Sequence, residues 1–257
     1  FDHLRTTAAL AACLAHEVPR DAPASLARDR QAVRYLLVCG DLTGIQSFIY
    51  TIASSGASRT LRGRSFSVLL LADAIAAHLL SQLGLPPCNL VYTGGGKIYL
   101  LVPASARERL SALAQEIDLH LLLRFGGVLG FALGVAPLSG QALVEKRMDA
   151  VWTAAHADLL SSRRRRLAEV ALAHYDDILA PYGHPELRST CPVCRRDRVV
   201  PPPSSDPEAP CRECLESQRL GELLPHAAYL VRFSGERHFE AAQRLAERAG
   251  VAWKPAN

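Results

Sequence analysis

The chain has 257 residues, the length of one large domain or two smaller ones. Apolar residues make up 49% and charged residues 21%, an ordinary globular balance that excludes a disordered or fibrous chain. A formal net charge of +4 leaves an acidic partner open without demanding one.

Phe1 in place of methionine, and an end at Asn257 with no terminal cap, read as an internal piece of a longer protein. No secretory leader pattern is present at the start. The longest unbroken apolar run, Ala8 to Ala15, is too short to span a bilayer, so no membrane association is expected. Cys13, Cys39 and Cys88 lie among apolar residues as free buried thiols, and together with the paired cysteines below they predict a cytoplasmic location.

Taken in chain order, residues 2–16 carry apolar positions at helical spacing and predict the closing helix of something upstream, followed by a polar linker over 21–30. Tyr35–Cys39 predicts a short strand ending at Gly40-Asp41. Phe66, Leu69, Leu70, Ile75, Leu79 and Leu83 predict the buried face of a helix with Ser65 as its N-cap, stopped at Gly84. Two strands, Asn89–Tyr92 and Lys97–Val102, flank a hairpin at Thr93-Gly94-Gly95-Gly96. Leu110, Leu113, Ile117, Leu121 and Phe125 mark a second helix, and Val128–Ala136 a last strand. The order βαββαβ predicts an α+β, ferredoxin-like domain: a four-stranded antiparallel sheet under two helices.

Helical material is expected over 141–179, with Val144, Met148, Val151, Trp152, Ala155 and Leu159 on one stripe, ended at Pro181. A cysteine module follows over 189–220, with a proline-rich loop at 201–210. A strand over 226–233 and a helix over 239–248 would open a further domain.

Cys191, Cys194, Cys211 and Cys214 form a C-x2-C-x16-C-x2-C pattern. Each knuckle aims two sulfurs to one side, and two knuckles close a tetrahedron around Zn²⁺. Four cysteines leave no open position, so the ion is structural and should supply much of the module's folding energy. Arg188, Arg195, Arg196, Arg198 and Arg212 can offset the thiolate charge.

Two other motifs point to nucleotide chemistry. The first comprises Gly40 and then Asp41, Leu42, Thr43, Gly44, Ile45 and Gln46, where a strand end meets a helix start and backbone N–H groups suit phosphate oxygens. The second is the hairpin Tyr92-Thr93-Gly94-Gly95-Gly96-Lys97-Ile98-Tyr99, where three glycines would let another molecule approach the backbone, with Thr93, Gly94, Gly95, Gly96 and Lys97 as the candidate contacts. Arg62 and Arg64 flank Gly63 ahead of the expected helix start, so Arg64 and Ser65 join the candidate nucleotide contacts, with solvated surface as the competing reading. Asp41 has two readings, a helix cap or proximity to nucleotide or metal. Lys97 either reaches a phosphate or is merely exposed. Arg163 to Arg166 read as a solvated charge run, with contact to RNA or a neighbouring subunit as the lesser reading; Phe48 reads as core, and His78, His120 and His156 as ordinary helix residues.

These motifs resemble the palm domains of diguanylate cyclases, in which an acidic residue after the first strand and a Gly-Gly-Asp-Asp/Glu hairpin hold two metals. Asp41, Gly94 and Gly95 match that pattern, whereas Gly96 and Lys97 stand where its two acidic residues would be. Glycine offers no side-chain ligand and lysine repels Mg²⁺, so this palm has no catalytic residues of its own. GDLTGIQSFIY at 40–50, SRTLRGRSF at 58–66, NLVYTGGGKIYLLVP at 89–103 and the four cysteines together resemble the large subunit of type III CRISPR effector complexes, most like the III-A type.

The resemblance divides the chain into four parts. Residues 1–30 would be the end of an HD-type domain and a linker. Residues 31–140 would form a first palm with the degenerate hairpin, 141–225 a helical linker with the zinc module, and 226–257 the start of a second palm. It implies ATP and Mg²⁺ or Mn²⁺ as cofactors of the whole protein. The second palm of the same protein, other effector subunits, crRNA and target RNA would be its partners. The whole protein would make cyclic oligoadenylate and cut single-stranded DNA, while this piece lacks both catalytic centres. The competing expectation is a scaffold that docks neighbouring subunits and binds no nucleotide.

Overall fold

The computed structural model describes residues 2–51, 57–168, 188–199 and 209–228, together with 172, 175 and 230. The chain divides into two compact units: Phe1–Thr51 with Ser65–Leu187, and Ile52–Arg64 with Arg188–Asn257. The expected helix beyond residue 168, the 201–208 loop, most of the 226–233 strand and the 239–248 helix lie outside the described residues. His226 falls in a 3-10 turn over Leu224–His226 rather than in a strand.

The first unit is built on strands β1 (Val33–Thr43), β2 (Leu90–Gly94), β3 (Lys97–Pro103) and β4 (Gly130–Ser139). They form one antiparallel sheet in the order β2-β3-β1-β4, the ferredoxin-like arrangement read from the sequence. β1 runs past the expected end at Gly40. A Cβ on Gly40 would lie 3.1 Å from the Phe131 ring and 3.2 Å from Ile98, so a glycine keeps the strand flat against its neighbours.

Among the described residues, α1 (Asp2–Glu17), α2 (Ala24–Arg28), α3 (Ile45–Tyr50), α4 (Ala57–Gln82), α5 (Arg107–Phe125) and α6 (Gly140–Val144) belong to this unit or enter it. α7 (Met148–Arg165) follows. Leu36, Val38 and Leu42 of β1 point to the core shared with α4 and α5, where Ile75, Leu79, Leu110, Leu113 and Leu121 are buried. Leu37 and Cys39 point the other way, against Ala155 and Leu159 of α7. β1 is therefore buried on both faces, which accounts for its nearly continuous apolar run.

α4 starts eight residues before the expected N-cap at Ser65, which lies inside the helix. Its buried stripe is Val68, Ala72, Ile75, Ala76 and Leu79, while Leu69 is 42% exposed. Ser58–Gln82 is long and apolar enough to cross a membrane by length and composition, a property shared by core helices of this kind. The expected single helix after residue 141 is interrupted. Lys146 takes a left-handed φ of 56°, and the Arg147 amide bonds the Ala142 carbonyl, closing α6 before α7 begins. Val144 is consequently 58% exposed instead of sharing the buried stripe.

α1 packs Ala9 and Cys13 against Leu101 and Leu138. Asn89, fully buried, ties these elements together through its Nδ2, 2.6 Å from the Leu101 carbonyl and 3.3 Å from that of Ala9. Burial pushes the Cys13 thiol up to about 12 and Cys39 up to about 11, so both are inert packing groups; Cys88 is only half-buried.

β4 is an edge strand whose outward amides are met by carboxylates. Phe131 N–H donates to Asp118 Oδ1 and Val135 N–H to Asp158 Oδ2, each at 2.8 Å. Asp118 is buried, and burial raises its carboxyl above the ordinary value of 3.8, although the Phe131 amide and Arg166 pull the other way. The folded chain thus holds a proton that the unfolded chain has released. The stability tied to that proton is full below the ordinary value and is lost as pH rises through the raised one. Asp118→Asn keeps an acceptor for Phe131 and removes this loss. Thermal melts across the acidic range should show its midpoint pulling ahead of the parent's as pH rises, by a few degrees.

Candidate nucleotide-handling site and metal centre

The hairpin between β2 and β3 closes on Gly95 and Gly96, with φ of 58° and 81°. Two successive left-handed residues make a type I′ turn, which matches strand twist and strongly favours glycine. The three glycines differ in what surrounds them. A Cβ on Gly96 would lie 2.2 Å from Ile45 Cδ1, and one on Gly94 would lie 2.4 Å from the Tyr92 hydroxyl. Around Gly95 nothing lies within 4 Å. Gly96 is buried against its own chain, Gly94 is half-buried beside the Tyr92 side chain, and Gly95 is exposed with open space around it. The Thr93 hydroxyl beside this turn is buried and has no hydrogen-bond partner among the described residues.

The β1 end reads similarly. Gly44 is the N-cap of α3 with φ of 80°, and a Cβ there would lie 1.8 Å from the Val128 carbonyl oxygen. Leu42 is core, and its amide donates to the Gly96 carbonyl at 2.8 Å. Ile45 packs under the hairpin, Thr43 accepts a hydrogen bond from Arg166, and Gln46 is exposed. Phe48 is core, 5.5 Å from Phe125 in an edge-to-face pair. Of the expected contacts on this segment, Gly44 and Gln46 reach solvent, while Leu42 and Ile45 are spent on packing.

Asp41 does not cap α3. Register pairs it with Lys97 across β1 and β3. Its Oδ1 lies 2.6 Å from Lys97 Nζ and its Oδ2 lies 3.1 Å from Arg163 of α7. Its side chain is 7% exposed, so both charges that meet it are in place before any ligand arrives. Arg163 was not legible as its partner, because a four-arginine run on a helix looks like a solvated face. Arg166 of the same run is also engaged, donating to Thr43 Oγ1 and the Gly127 carbonyl.

Beside the ion pairs, on the same sheet face, lies an aromatic group whose members the sequence placed on separate elements without bringing them together. Tyr99 sits 4.8 Å from Trp152 and 6.0 Å from both Tyr92 and His156, measured between ring centres. Tyr92 is 53% exposed, so this group has an open flank. A cavity of about 300 Å³ lies away from the hairpin, along β4, lined by Arg107, Asp118, Asp158, Ser162, Arg165 and Arg166.

In the second unit, β5 (Arg188–Thr190) and β6 (Asp197–Val199) flank the first cysteine knuckle, and α8 (Arg212–Leu223) starts at the second. Arg195 adopts φ of 57°, and the Cys191 amide and carbonyl bond Arg196 and Arg195, which folds the knuckle back on itself. The four sulfurs lie within 4.8 Å of one another, with Cys191–Cys214 at 4.0 Å and Cys194–Cys211 at 3.7 Å. A tetrahedron with Zn–S of about 2.3 Å needs sulfurs about 3.8 Å apart, so the donors fit that ion. Hydrogen bonds from Cys211 and Cys214 drive the Cys194 thiol below its ordinary range, while Cys194 in turn pushes Cys214 up to about 11.

Second-sphere cations hold the cluster. Burial pulls Arg196 down, but its hydrogen bond to Cys194 and the charges of Cys194, Cys211 and Glu213 together outweigh that cost and lift it above its ordinary range. Arg64 was expected at a phosphate, and that expectation is corrected. The residue is 2% exposed, and its guanidinium donates to Cys214 Sγ at 3.2 Å. It lies in the early turns of α4 because that stretch crosses α8 closely. A Cβ on Gly63 would meet the Ser217 carbonyl oxygen at 1.8 Å, and one on Gly221 that of Arg59 at 1.9 Å. Ser65, beside Arg64 and mid-helix, caps nothing.

Stripping the metal with a chelator should therefore unfold the 188–223 module, with a loss on the order of 10 kcal/mol of apparent binding energy. Amide exchange in α8 read against that in β1 would check it, since the β1 core does not depend on the ion.

A family model described as Csm1 subunit domain B matches residues 34–181. The CRISPR system single-strand-specific deoxyribonuclease Cas10/Csm1 (subtype III-A) of Mycobacterium tuberculosis is 35% identical over 239 residues, covering 83% of this chain and 29% of that protein. Among solved structures, a Csm1–Csm4 cassette in complex with pppApApA is similar with a TM-score of 0.58 at 26% identity, covering 74% of this chain and 26% of that one. A Csm1–Csm4 cassette in complex with one ATP gives a TM-score of 0.53 at 27% identity, covering 65% and 23%. The chain thus spans less than a third of the length of the relatives it matches. It belongs to the Csm1 family of type III-A CRISPR large subunits and carries that family's domain B.

Proposed function

We propose that this palm supplies a non-catalytic half of an ATP site, completed by a second palm of the same protein, in a type III CRISPR effector complex. The observation that carries the reading is the pairing of Asp41 with Lys97 at the hairpin. The palm has one carboxylate where two-metal chemistry needs several, and a cation already holds it. The hairpin nonetheless keeps one open face, at Gly95. Thr93, Gly95, Lys97, Gly44 and Gln46 are the groups through which it would meet a triphosphate. The metals and the attack of a ribose hydroxyl on an α-phosphate belong to the other palm. Solved relatives bound to one ATP and to pppApApA support this assignment.

On this reading the whole protein makes cyclic oligoadenylate and cleaves single-stranded DNA, residues 1–30 close an HD-type domain, and 226–257 open the second palm. crRNA and target RNA act through the assembled complex. The four-cysteine module is a zinc-stabilised structural element. A second reading, a docking scaffold without nucleotide, has one observation in its favour: the solved relatives are paired with a second subunit, Csm4.

Calorimetric titration of ATP into the protein carrying both palms separates the two. Gly95→Trp should weaken binding about tenfold, equivalent to 1.4 kcal/mol. Gly95→Asn, which tolerates the left-handed turn, should stay near the parent. An unchanged affinity in the tryptophan variant would leave the scaffold reading.

A further inference from the structure

Asp41 is 5% exposed, yet the cations bound to it are not hidden: the side chains of Lys97 and Arg163 are 38% and 42% exposed. The triad therefore shows solvent two positive groups with the negative one underneath, and it carries one net positive charge. Both carboxylate oxygens are occupied, one by each cation. A divalent ion arriving at Asp41 would have to displace both and then sit beside them. A phosphate oxygen has the opposite relation to the same groups, since it meets the cations first and can take over their hydrogen bonds.

We propose that Lys97 and Arg163 are the polyphosphate-binding pair of this palm, and that Asp41 is their resident counter-anion rather than a metal ligand. The proposal deepens the half-site reading and rests on it for the identity of the ligand as a nucleoside triphosphate. Before a ligand binds, Asp41 fixes both cations toward one point and satisfies their charge. An incoming triphosphate competes with Asp41 for them, so the carboxylate sets the affinity by opposing it. Tyr99 lies two residues from Lys97 on the same face of β3, and its ring group with Tyr92, Trp152 and His156 offers the base a stacking surface beside that pair.

The two roles of Asp41 give opposite results on substitution. Inorganic triphosphate, and separately ATP, would be titrated in EDTA into the protein carrying both palms and into Asp41→Asn, Lys97→Ala and Arg163→Gln, with folding checked by circular dichroism. Asp41→Asn should bind inorganic triphosphate about tenfold tighter, and each cation variant about tenfold weaker. Binding that weakens in Asp41→Asn overturns the proposal. If Asp41→Asn does not fold, metal-free binding by the parent that is lost in both cation variants supports it, and retention in either overturns it. ATP bound no tighter than inorganic triphosphate would remove the nucleotide reading while the ion exchange stood. ATP bound normally with no gain in Asp41→Asn would do the reverse.

Discussion

A strand buried on both faces can end in a charged side chain only if that charge is met where it stands. β1 is such a strand: Leu36, Val38 and Leu42 fill one core, and Leu37 and Cys39 fill another. Asp41 follows on the second face, and Lys97 from the neighbouring strand and Arg163 from the covering helix both reach it. Removing either cation would leave a nearly buried carboxylate short of partners, which costs far more than an exposed pair gains. The register of β3 and the placement of α7 are thereby tied to one carboxylate, and the hairpin tip inherits its position from them.

The second unit solves a comparable problem with different chemistry. A stretch of short strands and one helix has too little apolar surface to hold itself, so four sulfurs converge where a core would be. The negative charge of such a cluster is met by Arg196 from the knuckle and by Arg64 from the early turns of α4. Gly63 and Gly221 let those two helices approach closely enough for Arg64 to reach.

Much of the fold was legible because periodicity and punctuation agree. Leu110, Leu113, Ile117 and Leu121 gave α5, and the glycine hairpin gave β2 and β3 in the right order for this sheet. The convergence of the four cysteines was legible because knuckle spacing constrains sulfur geometry. What escaped depends on tertiary neighbours. α4 begins early because Gly63 and Arg64 have partners more than a hundred residues away, which no local signal carries. Arg163 looked solvated because its partner is on a strand and not on its own helix. The break at Lys146 escaped because a left-handed lysine has no sequence signature. Gly96 was read with Gly94 and Gly95 as one open turn because a sequence cannot show that Ile45 packs beneath it.

The capping of β4 limits how this sheet can grow. An added strand on that side would need the Phe131 and Val135 amides as donors, and Asp118 and Asp158 already hold them. Two of the donors that a further strand would need on this border are thus held by the sheet's own helices. With helices over both faces, the border free for a further strand is β2, the border that carries the hairpin.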